Sequence, residues 1–417
     1  MRVITTFFAV LLFVLAPISA AESNDNNWTS DLTQQWNIDF EAVYVSTKPV
    51  IVDQSIYVRT SSSTIDNGIP AIYSLDFSGN EQWKVTNPNS TKQDMSPILS
   101  VSAGNGECGN WPDMLLIGWS DGLFQALNPI NGNVIWQHST EFLNWGITGK
   151  ATLDQDSVII PTRTGIDKLC LDGDLEFSQQ LGLGWRNSPT SLDGGYWIGD
   201  ESGTLWHVSA NQSVNSYSIG EGKIRHQPLI INDDNLLIHL QLPTESELHL
   251  LDTITGESTT VAKLGPSPAM PEITGQYVIT ADASYVTLID CLENCQVINQ
   301  VPFTSNGEVS IIFDDYIVVP YNSQEGGYGV FTISDEGELY QFATLNFDDD
   351  WYGTAGIAGQ EVNGQKQMLV VNDNANLKFL STDYVLPLES SNADFDWTTI
   401  IAMLLALIII STTGIQL

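Results

Sequence analysis

The sequence predicts an all-β protein, an eight-bladed β-propeller of four-stranded antiparallel blades, with an N-terminal signal peptide and a C-terminal transmembrane helix. Three observations predict it. A short strand-and-turn unit recurs eight times, no helical periodicity of useful length runs between the two ends, and each end carries an apolar segment of its own.

Met1-Arg2 supplies one positive charge, Val3 to Ile18 is almost wholly apolar, and Ser19-Ala20-Ala21 places small residues ahead of a polar run from Glu22. That order of charge, apolar core and small residues is a secretory signal peptide, so residues 1–21 are expected to be cut off after Ala20 or Ala21 and the rest exported. At the other end, Trp397 to Leu417 is 21 residues without a charge. At about 1.5 Å per residue such a helix spans the roughly 30 Å hydrocarbon core. Trp397 sits at its edge, where an amphipathic ring prefers the interface. No Lys or Arg follows the span, so the usual positive-inside signal is missing. The expected product is a single-pass cell-membrane protein, with a propeller at 31–388 outside, a linker at 389–396 and the anchor at 397–417.

Lys and Arg number 14 against 50 Asp and Glu, a formal charge of −36. A chain so acidic repels nucleic acid and anionic lipid, which excludes phosphate-backbone binding as its function. The 12 Trp, 13 Tyr and 15 Phe mark a folded domain, because acidic disordered chains lack aromatic residues.

The repeated unit is an alternating strand that ends in Asp, Asn or Ser. Its copies end at Asp76, Asn128, Asp172, Ser209, Asp252, Asp290, Ser334 and Ser381, at intervals of 52, 44, 37, 43, 38, 44 and 47. Upstream of each lies a β-branched run such as Ser157 to Ile160, and between them a turn such as Ser120-Asp121-Gly122. Downstream comes a turn and another strand. Several units open with a residue before Pro: Lys48-Pro49, Ser96-Pro97, Ser188-Pro189 and Gln227-Pro228. Four strands in roughly 40 to 50 residues make one propeller blade. An open ring would expose unpaired strand edges. The segment Gln34 to Asp39 reads as the outer strand of a blade yet precedes the first full unit, so it is expected to pair with the last blade and close the ring.

Within blade 2, Ala126-Leu127-Asn128-Pro129-Ile130-Asn131-Gly132-Asn133-Val134-Ile135-Trp136 resembles the tryptophan-docking motif of quinoprotein (PQQ) propellers, with Ala126, Asn128, Gly132 and Trp136 at matching spacing. Blade 1 has a shorter version ending in Trp83, and Trp36 stands where the outer strand of blade 8 would need it. The resemblance implies an architectural role for Trp36, Trp83 and Trp136, each packing on the neighbouring blade. The family includes quinone-dependent dehydrogenases and a non-catalytic outer-membrane assembly lipoprotein. In its dehydrogenases the quinone lies between a Trp and a ring of two adjacent Cys, with carboxylates holding Ca²⁺. Here no two Cys are adjacent and no motif carries the calcium set, so no catalytic residue, cofactor or metal ligand is assigned. PQQ and Ca²⁺ enter only under the alternative function.

Four cysteines fit an oxidising exterior. Cys291 and Cys295 could staple a hairpin and Cys108 with Cys170 would be a second pair, although four cysteines permit three pairings. Asn27, Asn89 and Asn211 each open an Asn-x-Ser/Thr acceptor. A ligand site is expected at the loops that enter the innermost strands, where Trp145, Trp185, Arg186, Lys223, Arg225, His226, Trp351 and Tyr352 concentrate aromatic and basic groups. Such groups suit an anion or carbohydrate-like ligand, held by stacking and forked hydrogen bonds. The expected function is that of a surface-anchored scaffold for an envelope or cell-surface protein, or of a module binding a small extracellular ligand. The alternative is a PQQ-dependent dehydrogenase of alcohols or sugars.

Overall fold

The computed structural model describes residues 32–42, 44–61, 68–90, 93–141, 145–266, 269–305, 307–313, 316–321, 326–345 and 353–382. Leu32–Asp39 pairs antiparallel with Asn376–Thr382, placing Trp36 beside Phe379 and Asp39 beside Asn376. The first strand of the described chain is thus the outermost strand of the last blade, in the sheet with Gln365–Val371 and Ala358–Val362. The expected closure is borne out. Seven further antiparallel meanders complete the ring, seven of the eight blades having four strands in all, and no helix occurs among the described residues. Blade 1 gains a fifth strand because Tyr44–Val45 and Val50–Val52 both pair with Ser55–Ser61. The signal peptide and the span at 397–417 lie outside the described residues.

Burial explains why each strand has its composition. The second strand of a blade is buried on both faces between neighbouring blades, so Met114–Gly118 and Gly195–Gly199 are buried at every position. Such a strand reads as a continuous apolar run, like the doubly covered strands of parallel sheets. The outermost strands instead alternate between exposed and half-buried residues, as in Val134–Ser139 and Leu175–Gln180. In seven blades the pairing of the third and fourth strands is interrupted by a register shift; blade 4 keeps a continuous register. A bulge of this kind adds local twist, which a blade needs to splay outward from a crowded axis.

Adjacent blades dock through the tryptophans. Trp36 Nε1 donates to Phe77 O at 2.8 Å, Trp83 Nε1 to Pro129 O at 2.9 Å and Trp136 Nε1 to Leu171 O at 3.0 Å. Each indole therefore reaches the turn of the next blade. Beneath it lies that turn's glycine: a Cβ on Gly79, Gly132 or Gly173 would stand 2.7–3.0 Å from the ring. All three glycines also have positive φ, so the position demands glycine twice over. Asp76 and Asn128 brace the turns by accepting backbone amides two residues on. Tyr217 continues the pattern on Gly256, between blades 4 and 5.

Both disulfides have formed. Cys108–Cys170 ties the extra hairpin of blade 2, Gly104–Gly106 with Gly109–Trp111, to the third strand of blade 3. Cys291–Cys295 closes the turn after the third strand of blade 6. Asn89 and Asn211 are exposed in turns, as acceptors must be, while Asn27 lies outside the described residues.

Trp83 is 8% exposed and Trp136 half-buried. Trp83→Ala is expected to cost about 3–5 kcal/mol, the range for large aromatic truncations in packed sites, and Trp136→Ala less. Urea melts of the two variants decide this. A cost below about 1 kcal/mol for Trp83→Ala would show that the docking contact contributes little.

Candidate functional site

The segments that lead into the innermost strands line a central funnel of about 790 Å³. Its wall includes Lys48-Pro49, Pro97 and Ser188, which are the Pro-flanked positions where the units open. Pro suits these sites because it holds an extended approach and needs no hydrogen-bond partner for a missing N–H.

The predicted aromatic and basic cluster is present but divided. Trp145 and Trp185 meet edge to face with centroids 5.5 Å apart. Arg225 lies over Trp185 at 4.1 Å and Arg186 approaches the same ring at 5.1 Å. The Arg225 guanidinium forks onto Glu201, with Nε–Oε1 2.8 Å and Nη2–Oε2 2.7 Å, and Lys223 reaches Glu201 at 3.7 Å. Arg225 therefore spends its fork and its stacking face inside the protein. Of the predicted ligand residues, Arg186 and His226 line the funnel; Trp145, Trp185, Lys223 and Arg225 are not part of its lining, and Trp351 and Tyr352 lie outside the described residues.

Arg186 has neutral partners. Its Nε and Nη2 approach Met95 Sδ at 3.0 and 2.7 Å, and its amide donates to Thr148 Oγ1. Burial pushes its guanidinium down to about 10, partly offset by Tyr44, so it remains protonated at neutral pH. Its φ of 62° is a left-handed conformation, shared at the equivalent loop of blade 3 by Trp145 at 68°. Strain of that kind at a cavity wall costs of order 1–3 kcal/mol and is held by the surrounding structure.

The sequence reading missed the carboxylates of the funnel. Glu272, Glu308 and Asp373 line it from blades 6, 7 and 8. Burial raises Asp373 to about 6, against a hydrogen bond from Thr354 Oγ1 at 2.8 Å that favours the charged form. Burial and the neighbouring Glu308 also raise Glu272, while Lys48 and Lys150 lower it. In a chain with 50 acidic residues, no composition signal separates these three from solvated ones. A signal lay in Glu308 and Lys150, which occupy the unit-opening position that Lys48 holds in blade 1, two residues ahead of the innermost strand.

Among the described residues one trio of His, Cys, Asp or Glu has ligand atoms close enough to share an ion: Cys108, Cys170 and Glu176. Two of its members are joined in a disulfide, so it is no metal site. A second buried polar cluster is structural. Arg59 donates to Ser96 O, Gly118 O and Asp94 Oδ1, joining blades 1 and 2 beneath Trp119.

Comparison with known proteins places this architecture. A family model described as outer membrane protein assembly factor BamB matches residues 18–210, somewhat under half of the chain. The first half carries the PQQ-like propeller repeat. No curated protein matches the sequence significantly. Among solved structures, quinohemoprotein alcohol dehydrogenase from Comamonas testosteroni superposes with a TM-score of 0.58 at 11% identity, over 84% of this chain and 76% of its own. The computationally designed Ika8 protein superposes at 0.56 and 11% identity, over 82% of this chain and 97% of its own. BamB from Moraxella catarrhalis reaches 0.49 at 15% identity, over 70% of this chain and 97% of its own. At these identities the superpositions on the dehydrogenase and on the designed protein establish the propeller fold, which the two share, and no activity.

The folded chain holds the Asp373 proton more tightly than the unfolded chain does, so ionising this carboxyl opposes folding. The cost builds between about pH 4 and about pH 6 and is complete above that. Asp373→Asn keeps an acceptor for Thr354 and is expected to raise the melting temperature at pH 7.5 and leave it unchanged at pH 4. An equal shift at both pH values would rule out the buried charge as its cause.

Proposed function

We propose that this chain is an exported, membrane-anchored propeller that works as a binding module, scaffolding an envelope or cell-surface protein, and that it is not a quinone-dependent dehydrogenase. The observation that carries the reading is the character of its polar groups. Hydride transfer to PQQ needs a cation polarising the quinone carbonyls and a base at the substrate hydroxyl. Among the described residues, the funnel carboxylates Glu272, Glu308 and Asp373 do not converge as metal ligands. The cysteines are spent in disulfides joining non-adjacent positions. The residues present do not fit the quinone and its Ca²⁺.

A scaffolding role draws support from the matched family, described as an outer membrane protein assembly factor. The turns after the third strands of blades 2 and 5 carry Ile130 at 84% and Ile254 at 76% exposure. Single exposed apolar residues are ordinary on a folded surface, so these tips serve as positions from which to probe for a partner. A second reading, a receptor for a small ligand, is favoured by the funnel itself. Its volume falls within the range of small-molecule sites.

Photo-crosslinking from Ile130 and Ile254 in intact cells is expected to give discrete protein adducts, and the full chain with added PQQ and Ca²⁺ is expected not to reduce a redox dye with alcohols or aldoses. Quinone- and calcium-dependent turnover without adducts would reverse the assignment. The anchor is tested separately. Removal of Trp397 to Leu417 is expected to release the protein from salt-washed membranes, and continued pelleting would point to another attachment.

A further inference from the structure

Six charged side chains converge on the funnel, each from a different blade. Lys48, Lys150 and Arg186 come from blades 1, 3 and 4; Glu272, Glu308 and Asp373 come from blades 6, 7 and 8. In a ring of eight, each blade advances about 45°, so the cations occupy one half of the wall and the carboxylates the other. Lys48, Lys150 and Glu308 also share a level, each standing two residues ahead of its innermost strand.

Among the described residues, these opposite charges do not pair. Every ion pair found lies elsewhere: Arg59–Asp94, His138–Asp167, Lys168–Glu176, Lys223 and Arg225 with Glu201, and His249 and Lys263 with Glu247. The partners that the six do have are neutral. Arg186 has Met95, Asp373 has the Thr354 hydroxyl, and Glu308 Oε2 accepts the Gly356 amide. Half-buried charges held beyond ion-pair distance lose hydration for a smaller Coulomb return than a pair gives, Glu272 being eased in part by Lys48 and Lys150. The direction of the shifts at Asp373, Glu272 and Arg186, each governed first by burial, agrees with that. Elsewhere Arg59, Lys168, Lys223, Arg225 and Lys263 are paired with carboxylates, while Lys84 and Lys366 lie over aromatic rings and Arg163 donates to Gly184 O. What sets the funnel apart is that both signs of charge face one cavity without pairing.

We propose that the funnel receives a small dipolar ligand, with its anionic group toward Lys48, Lys150 and Arg186 and its cationic group toward Glu272, Glu308 and Asp373. A short peptide in its zwitterionic form has this chemistry. The inference rests on the ligand-receptor reading above. Three positive and three negative side chains cancel, so a ligand of one charge gains at one wall and leaves the other uncompensated. A ligand with both ends satisfies each. The wall between is partly apolar, with Ile98, Met270 and Ala355, and an apolar wall with a few placed charges is the usual make-up of a small-molecule site.

The test is calorimetric titration of the full-length, detergent-solubilised chain with oligoalanines of two to five residues, each as the zwitterion, the N-acetylated form and the C-terminal amide. At least one length is expected to bind about tenfold or more tightly as the zwitterion than in either capped form, the scale of one lost charge-assisted hydrogen bond. Lys150→Gln and Glu272→Gln are each expected to weaken zwitterion binding by about tenfold as well, with the melting temperature of the free protein held or raised. Capped forms that bind as tightly as the zwitterion overturn the dipolar assignment and leave the receptor reading standing. No binding by any form overturns the assignment. If a broad library of small metabolites also leaves the melting temperature unmoved, the receptor reading falls with it.

Discussion

Everything in this structure depends on the pairing of Leu32–Asp39 with Asn376–Thr382. Blades are stable as neighbours, because each second strand is buried on both faces by the blades beside it. An open array would leave its first and last blades with one such face and a strand edge in water. The N-terminal strand removes both defects at once. Trp36, carried on that strand, stacks on Phe379 within its own blade and donates to Phe77 in blade 1. One segment thus completes the last blade and docks it to the first.

Closure also creates the funnel. Positions 48, 150, 186, 272, 308 and 373 are distributed over most of the chain, and they face a common cavity because the innermost strands meet around one axis. A rigid ring holds such groups at fixed separations, and so can keep opposite charges apart where a flexible surface would let them collapse into ion pairs. The docking contacts and the Cys108–Cys170 staple serve this rigidity from the periphery.

Much of the fold was legible because its determinants are local. Period-two alternation, β-branched runs and Gly or Asp turns mark strands within a few residues of themselves. Trp83 and Trp136 announced inter-blade docking through their spacing from Gly79 and Gly132. The bulges between third and fourth strands were not visible, since no residue type marks them consistently across the seven blades that have one. Nor was the docking of Tyr217 on Gly256, where a different aromatic does the work of Trp.

At the candidate site the division is sharper. Sequence alone determined the ring of eight units, its closing strand, the docking tryptophans and the loops around the axis, because each is written in a repeat or a short motif. Tertiary structure alone decided which charges are spent and which are kept. Lys223 and Arg225 flank Ile224, and Arg186 lies one blade earlier, yet the first two are taken up by Glu201 while Arg186 faces the funnel. Glu272 and Asp373 look like any other acidic residue until the ring turns them toward the cavity that Glu308 also lines. Pairing and convergence are properties of distance in space, and between residues so far apart in the chain that distance is set by the closed ring.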